Sequence, residues 1–81
     1  MLFLIEYKRS EGRIVTLKTF DDTDRSKAER TRFEIELELN QKKIDHEVVL
    51  LDAADERALR RTHRRYFETA AQIANSLNGS S

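Results

Sequence analysis

Residues 26–42, SKAERTRFEIELELNQK, decide which of two folds the chain adopts. Ser26 followed by Glu29 fits the capping box that begins many helices, and most of the segment consists of strong helix formers. Residues 33–39 instead alternate strictly between apolar and acidic side chains, which is typical of a strand. Opposite charges spaced four residues apart favour the helix. We therefore predict a helix over residues 26–42.

Such a helix carries two apolar ridges instead of one. The first consists of Ala28, Ile35 and Leu39, and the second of Phe33, Leu37 and Ile44. At ~100° per residue the two ridges lie about 150° apart around the helix. We expect a helix with this geometry to lie in a crevice and to contact two partners.

Three further segments of the chain predict strands. Residues 2–7 form an apolar run in which both alternating sets of side chains are apolar, the pattern of a strand covered on both faces. A polar turn containing Gly12, at a position that favours a positive φ, connects this run to residues 13–20, which alternate. Residues 47–53 are again apolar on both faces.

The predicted order is therefore β-β-α-β-α, a single α+β domain over residues 1–78 with a frayed tail at 79–81. A helix between the second and third strands lets the third strand lie beside the first, which gives a two-layer sandwich with a three-stranded sheet in the order 2-1-3. This order places the most apolar strand in the centre. The alternative, with residues 33–39 as a strand, is a four-stranded meander and a C-terminal helix.

Residues 55–78, DERALRRTHRRYFETAAQIANSLN, predict one long C-terminal helix. Asp55 suits the N-cap, and Asn78 followed by Gly79 is a stop signal. Apolar side chains and one histidine recur at steps of four and three residues, which is the period of one helical stripe. The members of this stripe are Leu59, His63, Tyr66, Ala70, Ile73 and Leu77.

Five arginines occupy the opposite face of this predicted helix. They are Arg57, Arg60, Arg61, Arg64 and Arg65. Guanidinium groups bind carboxylates and phosphates with two parallel hydrogen bonds, so these five residues are the candidate binding site. The structural alternative is a solvated face, or ion pairs with the glutamates of residues 34–38 in the same chain or in a second subunit.

The composition limits the classes of function. The chain has no cysteine, which excludes disulfides and cysteine-ligated zinc and fits a reducing cytoplasm. Its net charge is zero, and the apolar run at the N-terminus is too short for a membrane span. His46, expected at the surface, and His63, expected in the core, lack metal-ligand spacing. We expect no cofactor, no metal and no catalytic site; an enzymatic site around His63 and Tyr66 is the remaining alternative.

These observations predict a small cytoplasmic protein-interaction or regulatory module. Because strands that are apolar on both faces need two covers, either the helices lie on opposite faces of the sheet or a second copy covers the bare face. A chain of 81 residues has a small core, so we expect a homodimer. The arginine face would bind an acidic protein; the alternative is nucleic acid or another polyanion, which zero net charge disfavours.

Overall fold

A computed structural model describes residues 1–67 of the chain. The main elements are β1 (Leu2–Lys8), β2 (Arg13–Phe20), α1 (Arg25–Lys42), β3 (Glu47–Asp52) and α2 (Glu56–Thr62). Single 3-10 turns occupy Asp22–Asp24 and Arg64–Tyr66. The α+β class and the order β-β-α-β-α are confirmed, and the four-stranded alternative is wrong because residues 33–39 are helical.

The sheet has the predicted strand order, with β1 in the centre and antiparallel to both β2 and β3. The hairpin between β1 and β2 turns at Gly12, whose φ is +61° and whose amide donates to the carbonyl of Lys8 at 2.8 Å. A side chain at this φ would strain the backbone, which explains the glycine. Four consecutive residues of β1, from Leu2 to Ile5, are 0% exposed.

The two helical segments lie on opposite faces of this sheet. Alternation along β1 directs Leu4 and Glu6 to one face and Ile5 and Tyr7 to the other. Side chains of α1 line a cleft together with Glu6, so α1 covers the first face. Leu59 of α2 and Tyr66 of the following turn belong to one buried cluster with Ile5 and Tyr7, so they cover the second.

The two predicted ridges of α1 have different environments. On the first ridge Ala28 and Leu39 are buried and Ile35 is partly buried. On the second, Phe33 is 63% exposed, Leu37 46% and Ile44 40%. Within residues 1–67 the helix therefore contacts one partner, the sheet, and its other apolar side faces solvent.

The C-terminal helix differs from its predicted form. The N-cap is confirmed, since the carboxylate of Asp55 accepts from the amide of Ala58 at 2.8 Å. The helix then ends at Thr62, because His63 adopts φ −125° and ψ 52°, and a 3-10 turn follows. The hydroxyl of Tyr7 donates to the carbonyl of Arg65 at 3.1 Å, a tertiary contact that competes with helix continuation. The predicted helix over 68–78 and the tail at 79–81 lie outside the described residues.

Truncation of a side chain should affect stability much more on the inner side of α1 than on the outer side. Leu39→Ala should lower the free energy of unfolding by about 2–3 kcal/mol, because it leaves a cavity against the sheet. Leu37→Ala should change it by less than about 0.5 kcal/mol. Urea denaturation at low protein concentration measures both, and equal losses would contradict the assignment of inner and outer sides.

Candidate functional site

The break at His63 divides the predicted arginine face into two parts. Arg57, Arg60 and Arg61 lie on α2, whereas Arg64 and Arg65 lie in the 3-10 turn. One helical face therefore does not present all five guanidinium groups. Each group has a different set of neighbours, and these neighbours decide which of them remain available to a ligand.

Arg65 is part of an ion-pair cluster centred on Glu47 at the start of β3. Its guanidinium lies 2.9 and 3.0 Å from the two carboxylate oxygens, and 4.7 Å above the ring of Tyr66. Arg9 donates to the same carboxylate at 3.0 Å, and the hydroxyl of Tyr66 donates to it as well. The Glu47 side chain is only 14% exposed. Arg65 thus holds the turn against β3.

The protonation states of this cluster follow from its contacts. The hydrogen bond from Tyr66, with the charges of Arg9 and Arg65, lowers the pKa of Glu47 against the opposing effect of burial. Burial raises the pKa of Tyr66, and the hydrogen bond to Glu47 adds to that rise. At neutral pH the cluster therefore consists of an ionised carboxylate, a neutral phenol and two guanidinium groups.

The other arginines differ in their exposure and contacts. Arg60 pairs with Glu56 at 3.1 Å and lies 4.6 Å above the ring of Phe67. Arg64 is partly buried. Arg57 and Arg61 are exposed, lie one turn apart, and form no ion pair within residues 1–67. They are the part of the predicted site that best fits an external ligand.

The predicted ion pairs between these arginines and the glutamates of α1 do not form within the described residues. Glu36 instead lies 3.7 Å from Arg32, and Glu38 lies 2.8 Å from Lys42, both within α1. The acidic part of α1 is thus paired along its own helix, except at Glu34, which has no ion pair in the described part of the chain.

His46, expected at the surface, instead lies at the edge of a cleft between α1 and the sheet. Its Nδ1 is 2.6 Å from a carboxylate oxygen of Glu6, whose other oxygen accepts from the hydroxyl of Thr16 at 3.0 Å. The cleft has a volume of about 320 Å³. Glu6 is the only acidic residue in the apolar run at 2–7, and that isolation was the sequence signal for a buried partner.

The cleft combines these three polar side chains with a charged and apolar rim. The rim consists of Lys18, Ile35, Glu38, Leu39, Lys42 and Ile44. A carboxylate that accepts from Nδ1 orients the imidazole, so the Glu6–His46 pair would fix the ring in the cleft. His63, the other histidine, is partly buried at the end of α2, with Nδ1 2.9 Å from the hydroxyl of Thr62.

The described residues contain neither a metal-binding cluster nor a membrane-spanning helix. No group of three His, Cys, Asp or Glu side chains in residues 1–67 is placed to hold a metal ion. None of the helices described is both long enough and apolar enough to cross a membrane.

Phe33 and Leu37, on the side of α1 that faces away from the sheet, are the most exposed of the large apolar side chains in residues 1–67. We call Phe33 and Leu37 the outer stripe; Ile44, the third member of the predicted ridge, lies beyond the helix and lines the cleft. Arg30 and Glu34 lie beside the outer stripe on the helix, are exposed, and form no ion pair within residues 1–67. The outer stripe is therefore exposed apolar surface, and beside it lie one base and one acid that form no ion pair within residues 1–67.

Glu47→Gln tests whether the Glu47 cluster holds the turn. The change should lower the free energy of unfolding by about 1–3 kcal/mol, because Arg9, Arg65 and Tyr66 lose a charged acceptor. Glu34→Gln, at an exposed glutamate that forms no ion pair within residues 1–67, is the matched control and should be neutral at low protein concentration. Urea denaturation measures both variants.

The same cluster makes stability depend on pH. Because the folded pKa of Glu47 lies below its ordinary value of 4.5, the folded state binds fewer protons than the unfolded state. Its contribution is therefore complete above about pH 4.5 and is lost as the pH falls through the folded pKa. Glu47→Gln should show a shallower acid loss than the parent protein; parallel curves would contradict the cluster's role.

Comparison with known proteins provides no relative from which a function could be transferred. No protein-family model matches the chain, and neither a curated protein nor a solved structure shows significant similarity to it. The functional inference therefore rests on the surfaces of residues 1–67.

Proposed function

We propose that the chain is a small protein-interaction module that acts by binding and not by catalysis, through the outer stripe of α1. The observation that carries this proposal is the exposure of Phe33 by 63% and of Leu37 by 46%, one turn apart on the side of α1 that faces away from the sheet. The absence of cysteine supports a cytoplasmic setting.

Single apolar side chains on a protein surface are common, so the spacing of these residues matters. Phe33 and Leu37 are four residues apart on α1 and therefore lie one above the other on the same side. Ile44 does not extend this row, because Lys43 in the left-handed conformation ends the helix and Ile44, whose amide donates to the carbonyl of Leu39 at 2.9 Å, lines the cleft. Apolar side chains at positions i and i+4 are part of the anchor pattern by which one helix packs against a partner.

The sheet holds this surface in place before any partner binds. The inner side of α1 is buried through Ala28 and Leu39, and the helix packs across β1 and β3. A surface that is already ordered loses little conformational entropy on association, so more of the gain from apolar burial appears as affinity.

A photoreactive phenylalanine analogue at position 33 tests this function in the cells that express the protein. We expect illumination to produce a covalent adduct of discrete mass, because a bound partner would lie against this ring. Leu37→Glu in the same chain should abolish the adduct, since a charge would then lie in the buried interface. The same analogue at Thr19, an exposed position on β2, is the control and should yield none.

Failure to form an adduct from position 33, with folded protein present, would overturn the proposal. An adduct that persists unchanged in the Leu37→Glu background would do the same, because it would not depend on the outer stripe.

A second candidate function uses the exposed arginines of α2. Arg57 and Arg61 are one turn apart and unpaired within residues 1–67, so they fit two carboxylates or two phosphates. This supports an acidic protein surface as a further ligand, or, as the alternative, nucleic acid or another polyanion. This candidate site has fewer arginines than the five predicted from the sequence, because Arg60 and Arg65 form ion pairs within the chain.

Fluorescence anisotropy with labelled single- and double-stranded oligonucleotides tests the nucleic-acid alternative. Two neutralised phosphates should give a log–log salt slope of about −1.8 for the double strand and about −1.4 for the single strand. Arg57→Glu with Arg61→Glu should abolish this binding, whereas Arg13→Glu, at an exposed arginine on β2, should leave it intact. No binding at low salt, or binding that the double change leaves unaltered, would exclude this alternative.

A further inference from the structure

We infer that the partner of the outer stripe is a second copy of this chain, docked so that the two α1 helices are antiparallel. This inference rests on the proposed function and names its partner. It follows from the distribution of charge along α1, from the position of the unpaired charges, and from the symmetry that such a pair would have.

The charges of α1 are separated along its length. Residues 25–32 contain four bases and one acid, and residues 33–39 contain three acids and no base; the last turn, residues 40–42, adds one base, Lys42, which is paired with Glu38. Two antiparallel copies place the basic half of each helix against the acidic half of the other. A parallel pair would place like charges together, and it would also align the two helix dipoles unfavourably.

The outer stripe determines the level at which the two helices meet. If Phe33 of each copy lies at the two-fold axis, Arg30 of one copy lies at the level of residue 36 of the other. At a rise of ~1.5 Å per residue, Glu34 and Glu38 of the other copy are then each displaced by only about 3 Å along the axis. The side chain of Arg30 is long enough to reach the carboxylate of either glutamate in the other copy. Its methylene groups would then lie over Leu37 of that copy.

Arg30 and Glu34 are the charges best placed to make this contact. Arg32 already lies 3.1 Å from Glu29, and Glu38 is paired with Lys42 at 2.8 Å. Arg30 and Glu34 are four residues apart, yet they form no ion pair with one another, and each is exposed beside the outer stripe.

Two-fold symmetry explains why a second copy suits this surface. In such a pair every contact occurs twice, so one Arg30–Glu34 contact becomes two, and Phe33 contacts its own equivalent. Each copy has both Arg30 and Glu34, so each can provide the acid for the other copy's base and the base for the other copy's acid. Because the stripe is small, we expect a dimer that dissociates on dilution.

Sedimentation equilibrium of charge-reversed variants tests the inference. At low salt the parent chain should be a concentration-dependent dimer. Arg30→Glu and Glu34→Arg should each weaken self-association by about tenfold or more, because each places two pairs of like charges across the interface. An equimolar mixture of the two variants should dimerise again, since one chain then presents only acids at these positions and the other only bases.

The mixture separates binding from folding, because a misfolded variant could not restore the complex. Phe33→Asp in either member should abolish the restored dimer. The inference is overturned if the parent chain stays monomeric up to about 1 mM, if the single variants dimerise as well as the parent, or if the mixture stays monomeric. A heteromeric adduct from position 33 in cells would then leave the proposed function standing, whereas no adduct would remove it as well.

Discussion

The rest of the structure depends on the need to bury β1 on both faces. Its residues from Leu2 to Ile5 are 0% exposed, and they alternate between the two sides of the sheet. A strand of this kind needs a neighbour on each edge and a cover on each face. β2 and β3 supply the edges, α1 covers one face, and α2 with the turn at Tyr66 covers the other. The positions of all the other elements follow from this requirement.

The periodicity of the sequence was sufficient for most of this architecture. The apolar run at 2–7 predicted a central strand, whereas for residues 26–42 the capping box and the opposite charges four residues apart predicted the helix against an alternation that is typical of a strand. The break at His63 was not predictable from the same evidence, because the stripe through Leu59 and Tyr66 continues without interruption. What decides it is a set of contacts between residues distant in sequence, such as the hydroxyl of Tyr7 on the carbonyl of Arg65.

Prediction of the candidate site was less complete, for the same physical reason. Five arginines close in sequence suggested one binding face, yet Arg65 is bound to Glu47 and Arg60 to Glu56. The pair of Glu6 and His46, 40 residues apart, joins the central strand to the residue that precedes β3. A sequence shows how many charged groups a segment has, but their partners depend on how the strands pair. The periodicity predicted the outer stripe as part of a second apolar ridge, but it did not predict that this ridge would be exposed to solvent.

The hydrogen bonds that the carboxylate of Glu47 accepts have a consequence for local unfolding. α2 has seven residues, fewer than the ~12–15 that a helix needs to persist alone in water. Tertiary contacts therefore keep α2 folded: the packing of Leu59 and Tyr66 in the core and the hydrogen bonds that Glu47 accepts. Losing those bonds would release α2 and the turn together, as one cooperative unit, while α1 stays on the sheet. The cover on this face of β1 therefore forms or opens as one unit, because α2 and the turn depend on the same contacts with the sheet.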